Sequence, residues 1–320
     1  MTDTLHRALP RDRFLPLPDH AGPSRDRRTG VEVEFAGLTP EQAAQIVQAE
    51  WGGTITREGP RDLLVADGRF GPVKVELDIT LKTRWIEDLA VEILGDLVPV
   101  EIVTAPMAQR DLPQVAALLT TLARAGAKGS GAHVGYGFGV HLNTERPDDP
   151  ATIAIVRAFA LLEDWLRQSD PLDPARRVLP FVDPWPRALV DALAGADDWS
   201  LADLGRVYAK HAPSRGYGLD LLPLLQDAVP DTLANVPADQ LKGGRPTFHY
   251  RLPETRLDEV DWSLAYEWNR WWVVEQVAKD SGFIHSLANI RQQRGLWPTG
   301  EAAEIAAKLW QSAIIDRIGG

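Results

Sequence analysis

The sequence predicts an α+β fold, a mainly antiparallel sheet with helices packed behind it, on three observations. Short runs alternate apolar and polar residues with the period of two that strands require, glycine and proline turns separate these runs, and longer stretches carry apolar residues at helical spacing. The run Gly30-Val31-Glu32-Val33-Glu34-Phe35 is the pattern for the rest. Its valines and Phe35 face one way, and Glu32 and Glu34 the other. Residues i and i+2 on a strand sit about 7 Å apart on one face, so both carboxylates can enter one cavity, where they repel unless a cation or a proton offsets them. The same alternation also fits a strand with one solvated side.

Ahead of this strand, residues 1–29 hold Pro10, Pro16, Pro18 and Pro23 with scattered charge, which predicts an extended arm with Arg25 to Arg28 as a solvated basic patch. Residues 30–320 follow as one domain. Thr39-Pro40-Glu41-Gln42 is a helix start: Thr39 caps, Pro40 suits the first helical position and Gln42 completes a capping box. This helix runs to about Trp51, where Gly52-Gly53 ends it. Strands at Leu63 to Ala66 and Val73 to Leu81 follow, the second with Glu76, Asp78 and Thr80 on one face. A polar linker or short helix spans Thr83 to Leu94.

Val98 to Thr104 forms the next strand, stopped by Pro106. A carboxylate such as Glu101 inside so apolar a run is rarely buried without a partner, unless the strand is an edge and the side chain reaches solvent. Asp111 caps a helix that continues to Gly126. The glycine-rich stretch from Lys128 to Gly139 resembles a phosphate-cradling loop only loosely, because no helix start follows it. It leads into Val140-His141-Leu142-Asn143, with His141 and Asn143 on one face. A structural histidine and a ligand are both open readings there.

A helical insertion spans about 150–240, with helices at Ala151 to Gln168, Trp185 to Leu193 and Leu201 to His211. Arg215, in the loop after the last of these helices, either faces solvent or serves an anion. The last strand, Arg245 to Pro253, places Thr247, His249 and Arg251 on one face and Phe248, Tyr250 and Leu252 on the other. Trp262, Trp268, Trp271 and Trp272 mark a helical core segment, and a final helix covers Glu301 to Ile318.

With 320 residues and 44% hydrophobic content, the chain can bury a large core. It contains no cysteine, which excludes disulfides, thiolate metal sites and a cysteine nucleophile. A formal charge of -11 and short basic clusters argue against nucleic acid as a partner. No apolar run has the length of a membrane span, and the N-terminus has no signal-peptide core, so a cytoplasmic, membrane-free protein is expected.

Taken in order, five segments resemble the amidoligase family, relatives of glutamate-cysteine ligase and glutamine synthetase that join a carboxylate to an amine using ATP. They are Gly30 to Phe35, Leu77-Asp78-Ile79-Thr80-Leu81, Val100 to Pro106, Gly139 to Asn143, and Thr247 to Asp258. The resemblance implies a curved sheet forming one wall of a funnel-shaped active site. It implies ATP and Mg²⁺, or Mn²⁺, as cofactors, with small-molecule or peptide carboxylates and amines as substrates. Glu32, Glu34 and Glu101 would hold metal, His141 and Asn143 would contact phosphates or metal, and Arg251 would stabilise the transferring phosphoryl group, so that Arg251, Glu34 and Glu101 are the catalytic candidates. Arg245 and Arg215 are candidates for phosphate or substrate carboxylate, and Asp78 and Thr80 for the substrate end.

One residue departs from the pattern. Where the family motif T-x-E-[FY]-R has an acid, this chain has His249. Imidazole suits borderline metals better than hard Mg²⁺. Either metal demand is altered, or Glu254 substitutes, or the chemistry is lost and a nucleotide-binding homologue remains. The other alternative is a metal-dependent hydrolase that uses the same carboxylates to activate water.

Overall fold

The computed structural model describes residues 7–20, 22–23, 26–60, 62–77, 99–131, 137–177 and 182–294. Asp78, Thr80, the Thr83 to Leu94 linker and the expected helix at Glu301 to Ile318 lie outside these. The architecture is α+β, built on one open sheet of nine strands. Its strands are β1 (Arg28–Phe35), β2 (Thr54–Arg57), β3 (Leu63–Ala66), β4 (Val73–Leu77), β5 (Val100–Thr104), β6 (Met107–Ala108), β7 (Val140–Thr144), β8 (Leu219–Asp220) and β9 (His249–Tyr250). The order across the sheet is β2-β3-β4-β5-β1-β7-β9-β8, with β6 beside the start of β1. Every pairing between these strands is antiparallel.

β1 lies between β5 and β7 because its alternation gives it two working faces. Val31, Val33 and Phe35 are wholly buried on one, and α1 (Pro40–Trp51) and α2 (Leu112–Ala125) pack together on that side of the molecule. The capping box at Thr39 forms as its sequence predicts, with Gln42 N donating to Thr39 Oγ1 at 3.2 Å and Thr39 N donating to Gln42 Oε1 at 2.8 Å. The loop after α1 turns through Gly53 at φ 94°, where an added Cβ would lie 2.2 Å from the Ala66 carbonyl oxygen, so glycine is required there.

The second half of the sheet packs on α3 (Asp149–Ser169) and α8 (Leu264–Ala278), which lie against each other. Trp271 stacks at tilted angles on Phe248 and Tyr250, with ring centroids 5.2 and 5.1 Å apart, and Phe159 of α3 meets Tyr250 edge-on. The tryptophan segment is therefore core. Shorter helices α4 (Pro174–Arg177), α5 (Arg187–Ala194), α6 (Leu201–His211), α7 (Leu222–Ala228) and α9 (Ser281–Arg294) complete the described chain. None of its helices is long and apolar enough to cross a membrane.

Several expectations change. Asp111 makes no capping bond, because a 3₁₀ turn at Gln109–Asp111 already leads into α2 and holds Asp111 in a helical conformation. The strand expected from Arg245 to Pro253 shortens to β9, since Pro246 and Pro253 have no N–H to donate to a ladder. β2, exposed and polar, and the two-residue β8 gave no alternation to read. The basic patch at Arg25 to Arg28 is not wholly solvated: Arg27 is buried and grips both carboxylate oxygens of Glu275 at 2.7 and 2.8 Å.

That pair fastens the strand entry to α8. Trp271 Nε1 donates a third bond to Glu275 at 2.9 Å, and His20 Nε2 lies 3.4 Å away. Burial alone would raise the Glu275 pKa, but Arg27 and His20 outweigh it and hold it below its usual 4.5. A depressed carboxyl stabilises the fold above its unfolded value and loses that contribution as pH falls. Glu275→Gln should therefore cost about 3–5 kcal/mol in urea unfolding at neutral pH. Its stability should also fall less steeply than the parent's below about pH 4.5.

Candidate functional site

On an antiparallel ladder, directly opposed residues share a face, so register decides which side chains meet. Glu34 is opposite Glu101, which is opposite Glu76 on β4. Glu32 is opposite His141, Gly30 opposite Asn143, and His249 opposite Asp220. The acids of β1 therefore share one sheet face with polar groups from five other strands. Against this face lies a cavity of about 300 Å³ whose lining includes Glu32, Glu76, Glu101, Asn143 and His249 on the sheet, together with Arg215 and Arg245.

Glu32 is held at both oxygens. His141 Nδ1 lies 2.7 Å from Oε2, and Asn143 Nδ2 donates to Oε1 at 2.8 Å. Burial alone would raise the Glu32 pKa, but the imidazoles of His141 and His249 hold it well below the usual carboxylate range. His141 is pushed down to about 3 by burial against the pull of Glu32, so at neutral pH it is an uncharged ring. A neutral ring beside an ionised carboxylate donates from Nδ1, which leaves the lone pair on Nε2 facing Glu34 Oε1, 3.7 Å away.

Glu34 is fixed from the other side. Gly139 N donates to its Oε2 at 2.7 Å, and its own backbone N donates to Gly139 O at 3.0 Å. Arg176, wholly buried on α4, lies over Gly139, donates to the carbonyls of Gly137 and Arg251, and stands 3.9 Å from Glu34 Oε2. Burial lowers the Arg176 pKa, and the charges of Glu34 and Glu254 work against that.

At the far edge Asp220 is wholly buried, accepting from Arg215 Nε at 2.8 Å and Leu222 N at 3.0 Å, with His249 Nδ1 3.1 Å from Oδ2. Burial would raise its pKa, but His249 and Arg215 bring it below the usual value. His249 Nε2 points the other way, buried and without a hydrogen bond, 3.8 Å from Glu32 Oε2. Two sets of ligand-type atoms result, each within 4.8 Å of one another: Glu32, His141 and His249, and Glu34, Glu101 and His141.

The structure thus gathers Glu32, Glu34, Glu101, His141, Asn143 and His249, with Arg215 half-buried and ion-paired and Arg245 exposed at the mouth. Arg251 sits beside them: its charge counts against protonation of His141, and its Nη1 donates to the Arg215 carbonyl at 2.6 Å. Glu254 cannot stand in for the acid that His249 replaces, because its carboxylate accepts from Asp173 N and Arg256 in a separate buried network. Asp220 and Arg176 were not singled out from the sequence, and Glu76 was read only as sharing a strand face with Asp78 and Thr80. Asp220 had a signal, an acid inside the apolar run Leu219-Asp220-Leu221-Leu222, of the kind that marks Glu101.

The cover over Glu34 is sterically tight. A Cβ on Gly139 would lie 2.5 Å from Arg176 Nη2, and that guanidinium is enclosed. Gly139→Ala should therefore destabilise the protein by about 1–3 kcal/mol, an overpacking cost measurable by chemical denaturation, whereas Gly22→Ala, with open space around it, should be neutral.

A family model described as "Putative amidoligase enzyme" matches residues 25–273. No curated protein matches the sequence. The matched span starts just before β1 and ends within α8, and so takes in every residue of the cavity wall described above. The chain belongs to the amidoligase family.

Proposed function

We propose that the protein is an ATP-dependent carboxylate–amine ligase that forms an amide or peptide-type bond through an acyl phosphate. The observation that carries this reading is one cavity lined both by carboxylates of the sheet and by the guanidinium groups of Arg215 and Arg245. Joining a free carboxylate to an amine in water is uphill, so the acid must be activated first. A carboxylate oxygen attacks the terminal phosphorus of ATP and ADP leaves; the amine nitrogen then attacks the acyl carbon and phosphate leaves with the oxygen. Both steps depend on positioning and on charge stabilisation around phosphate oxygens.

The donor set at Glu34 and Glu101 fits Mg²⁺, which takes a few carboxylates and fills its remaining positions with water and phosphate oxygens. When bound there, it would supply the positive charge that phosphate oxygens need close to two acids. Gly139 and Arg176 hold Glu34 to one position, so this corner does not have to reorganise as charge develops. Arg215 and Arg245 supply guanidinium groups for a phosphate or a substrate carboxylate, and a bidentate fork suits either. Arg251, whose charge acts on His141, would add positive charge at the phosphoryl group. In this reading the polar sheet face is one wall of a funnel-shaped site of the glutamine synthetase and glutamate-cysteine ligase type. The partners are small-molecule or peptide acids and amines, in the cytoplasm.

The set Glu32, His141 and His249 supports a second reading, a metal-dependent hydrolase. The two readings separate on nucleotide use. Incubated with ATP, Mg²⁺ and pooled amino acids or short peptides, the protein should release ADP and phosphate only when both an acid and an amine are present. Glu101→Gln should lower that release by about 10²-fold. Failure to bind ATP, with no release for any acid and amine, would remove the ligase reading, and turnover without nucleotide would establish the hydrolase.

A further inference from the structure

At the His249 end of the cavity, two hydrogen-bond acceptors face each other. Asp220, buried and accepting from Arg215 Nε and Leu222 N, lies 3.1 Å from His249 Nδ1, which assigns the ring proton to that nitrogen and leaves a lone pair on Nε2. That atom is buried, makes no hydrogen bond and lies 3.8 Å from Glu32 Oε2, itself an acceptor. His141 stands edge-on to His249, with ring centroids 5.3 Å apart at 87°. Lone pairs that converge this closely are offset by a cation or a proton between them.

We infer that Glu32, His141 and His249 form a site for a divalent transition metal such as Zn²⁺, separate from the oxygen-rich pair Glu34 and Glu101, and that Asp220 is the positioning residue holding His249 to it. Two imidazoles and one carboxylate suit borderline metals, whereas Mg²⁺ prefers oxygen donors and gives up its water reluctantly. A carboxylate behind a ligating imidazole is the usual device for fixing its tautomer and raising its basicity, and Asp220 occupies that place. Arg215, shared between Asp220 at 2.8 Å and the His249 ring at 3.4 Å, keeps the carboxylate aligned. A neutral imidazole has one lone pair, so His141 serves one ligand set at a time. Joining Glu32 and His249 would turn its remaining N–H toward Glu34 and leave Glu34 and Glu101 to a hard cation. The cavity would thus hold two unlike cations side by side.

The inference uses the same cavity as the ligase reading but is tested without nucleotide, so the failure of either is seen separately. Metal-stripped full-length protein is dialysed against Zn²⁺ in excess Mg²⁺, and the metal retained is measured by mass spectrometry. Co²⁺ loading is followed by its visible absorption bands. The parent should retain about one Zn²⁺ per chain, and His249→Ala should lose it while its melting curve stays cooperative. Asp220→Asn, which keeps all three ligands, should weaken Zn²⁺ by about 10–100-fold and alter the Co²⁺ bands. His249→Glu should shift preference toward Mg²⁺. Retention that is unchanged in His249→Ala, or Zn²⁺ displaced mole for mole by Mg²⁺ in the parent, would overturn the site. Equal Zn²⁺ affinity in Asp220→Asn would overturn the role of Asp220.

Discussion

The register of β1 between β5 and β7 is the constraint on which the rest of the structure depends. This one strand builds the hydrophobic core with Val31, Val33 and Phe35 and, on its other face, carries Glu32 into the cavity wall and Glu34 beside it against Glu101. Because the side-chain period is two, a slip of one residue would bury both acids in the core and turn the valines to the cavity. The core therefore enforces the site: burying three large apolar side chains favours the one register that also opposes Glu34 to Glu101 and Glu32 to His141.

Acids held this closely must be partnered, and each is partnered differently. Glu34 is met by a backbone N–H with an arginine behind it, Glu32 by a neutral imidazole and an amide, and Asp220 by a guanidinium and an imidazole. Away from the cavity, Arg27 grips Glu275 at both oxygens and Arg270 meets Glu267 and Asp170. Toward the cavity, weaker partners leave oxygen atoms within reach of a cation. A carboxylate locked to arginine on both oxygens would be stable but useless to a ligand.

Much of this was legible in the sequence because it is written at short range. Alternation over six residues predicts β1, a cap and a proline predict α1, and helical spacing predicts α3, α6 and the tryptophan-bearing α8. Once strand faces were assigned, Glu32, Glu34, Glu101, His141, Asn143 and His249 stood out as polar positions on half-apolar runs. What stayed hidden depends on long-range contact. Arg27 looked like one of several solvated arginines, because nothing local says that Glu275 lies 248 residues along the chain. Arg176 sits on a four-residue helix with no periodicity, and its burial over Gly139 is set by the packing of distant loops. Asp220 was passed over because a two-residue strand gives no face to read.

The N-terminal segment shows a different economy. It lies along α8, where Trp268 Nε1 donates to the Leu15 carbonyl and Trp272 Nε1 to the Pro16 carbonyl, while Asn269 bonds the backbone of Pro10, Arg13 and Leu15. All of these bonds end on main-chain atoms, which every amino acid offers alike. The clasp is therefore blind to most of the side chains it holds. Substitutions at exposed positions of that segment can accumulate without loosening it, whereas losing a single indole N–H or the Asn269 amide would free the strap.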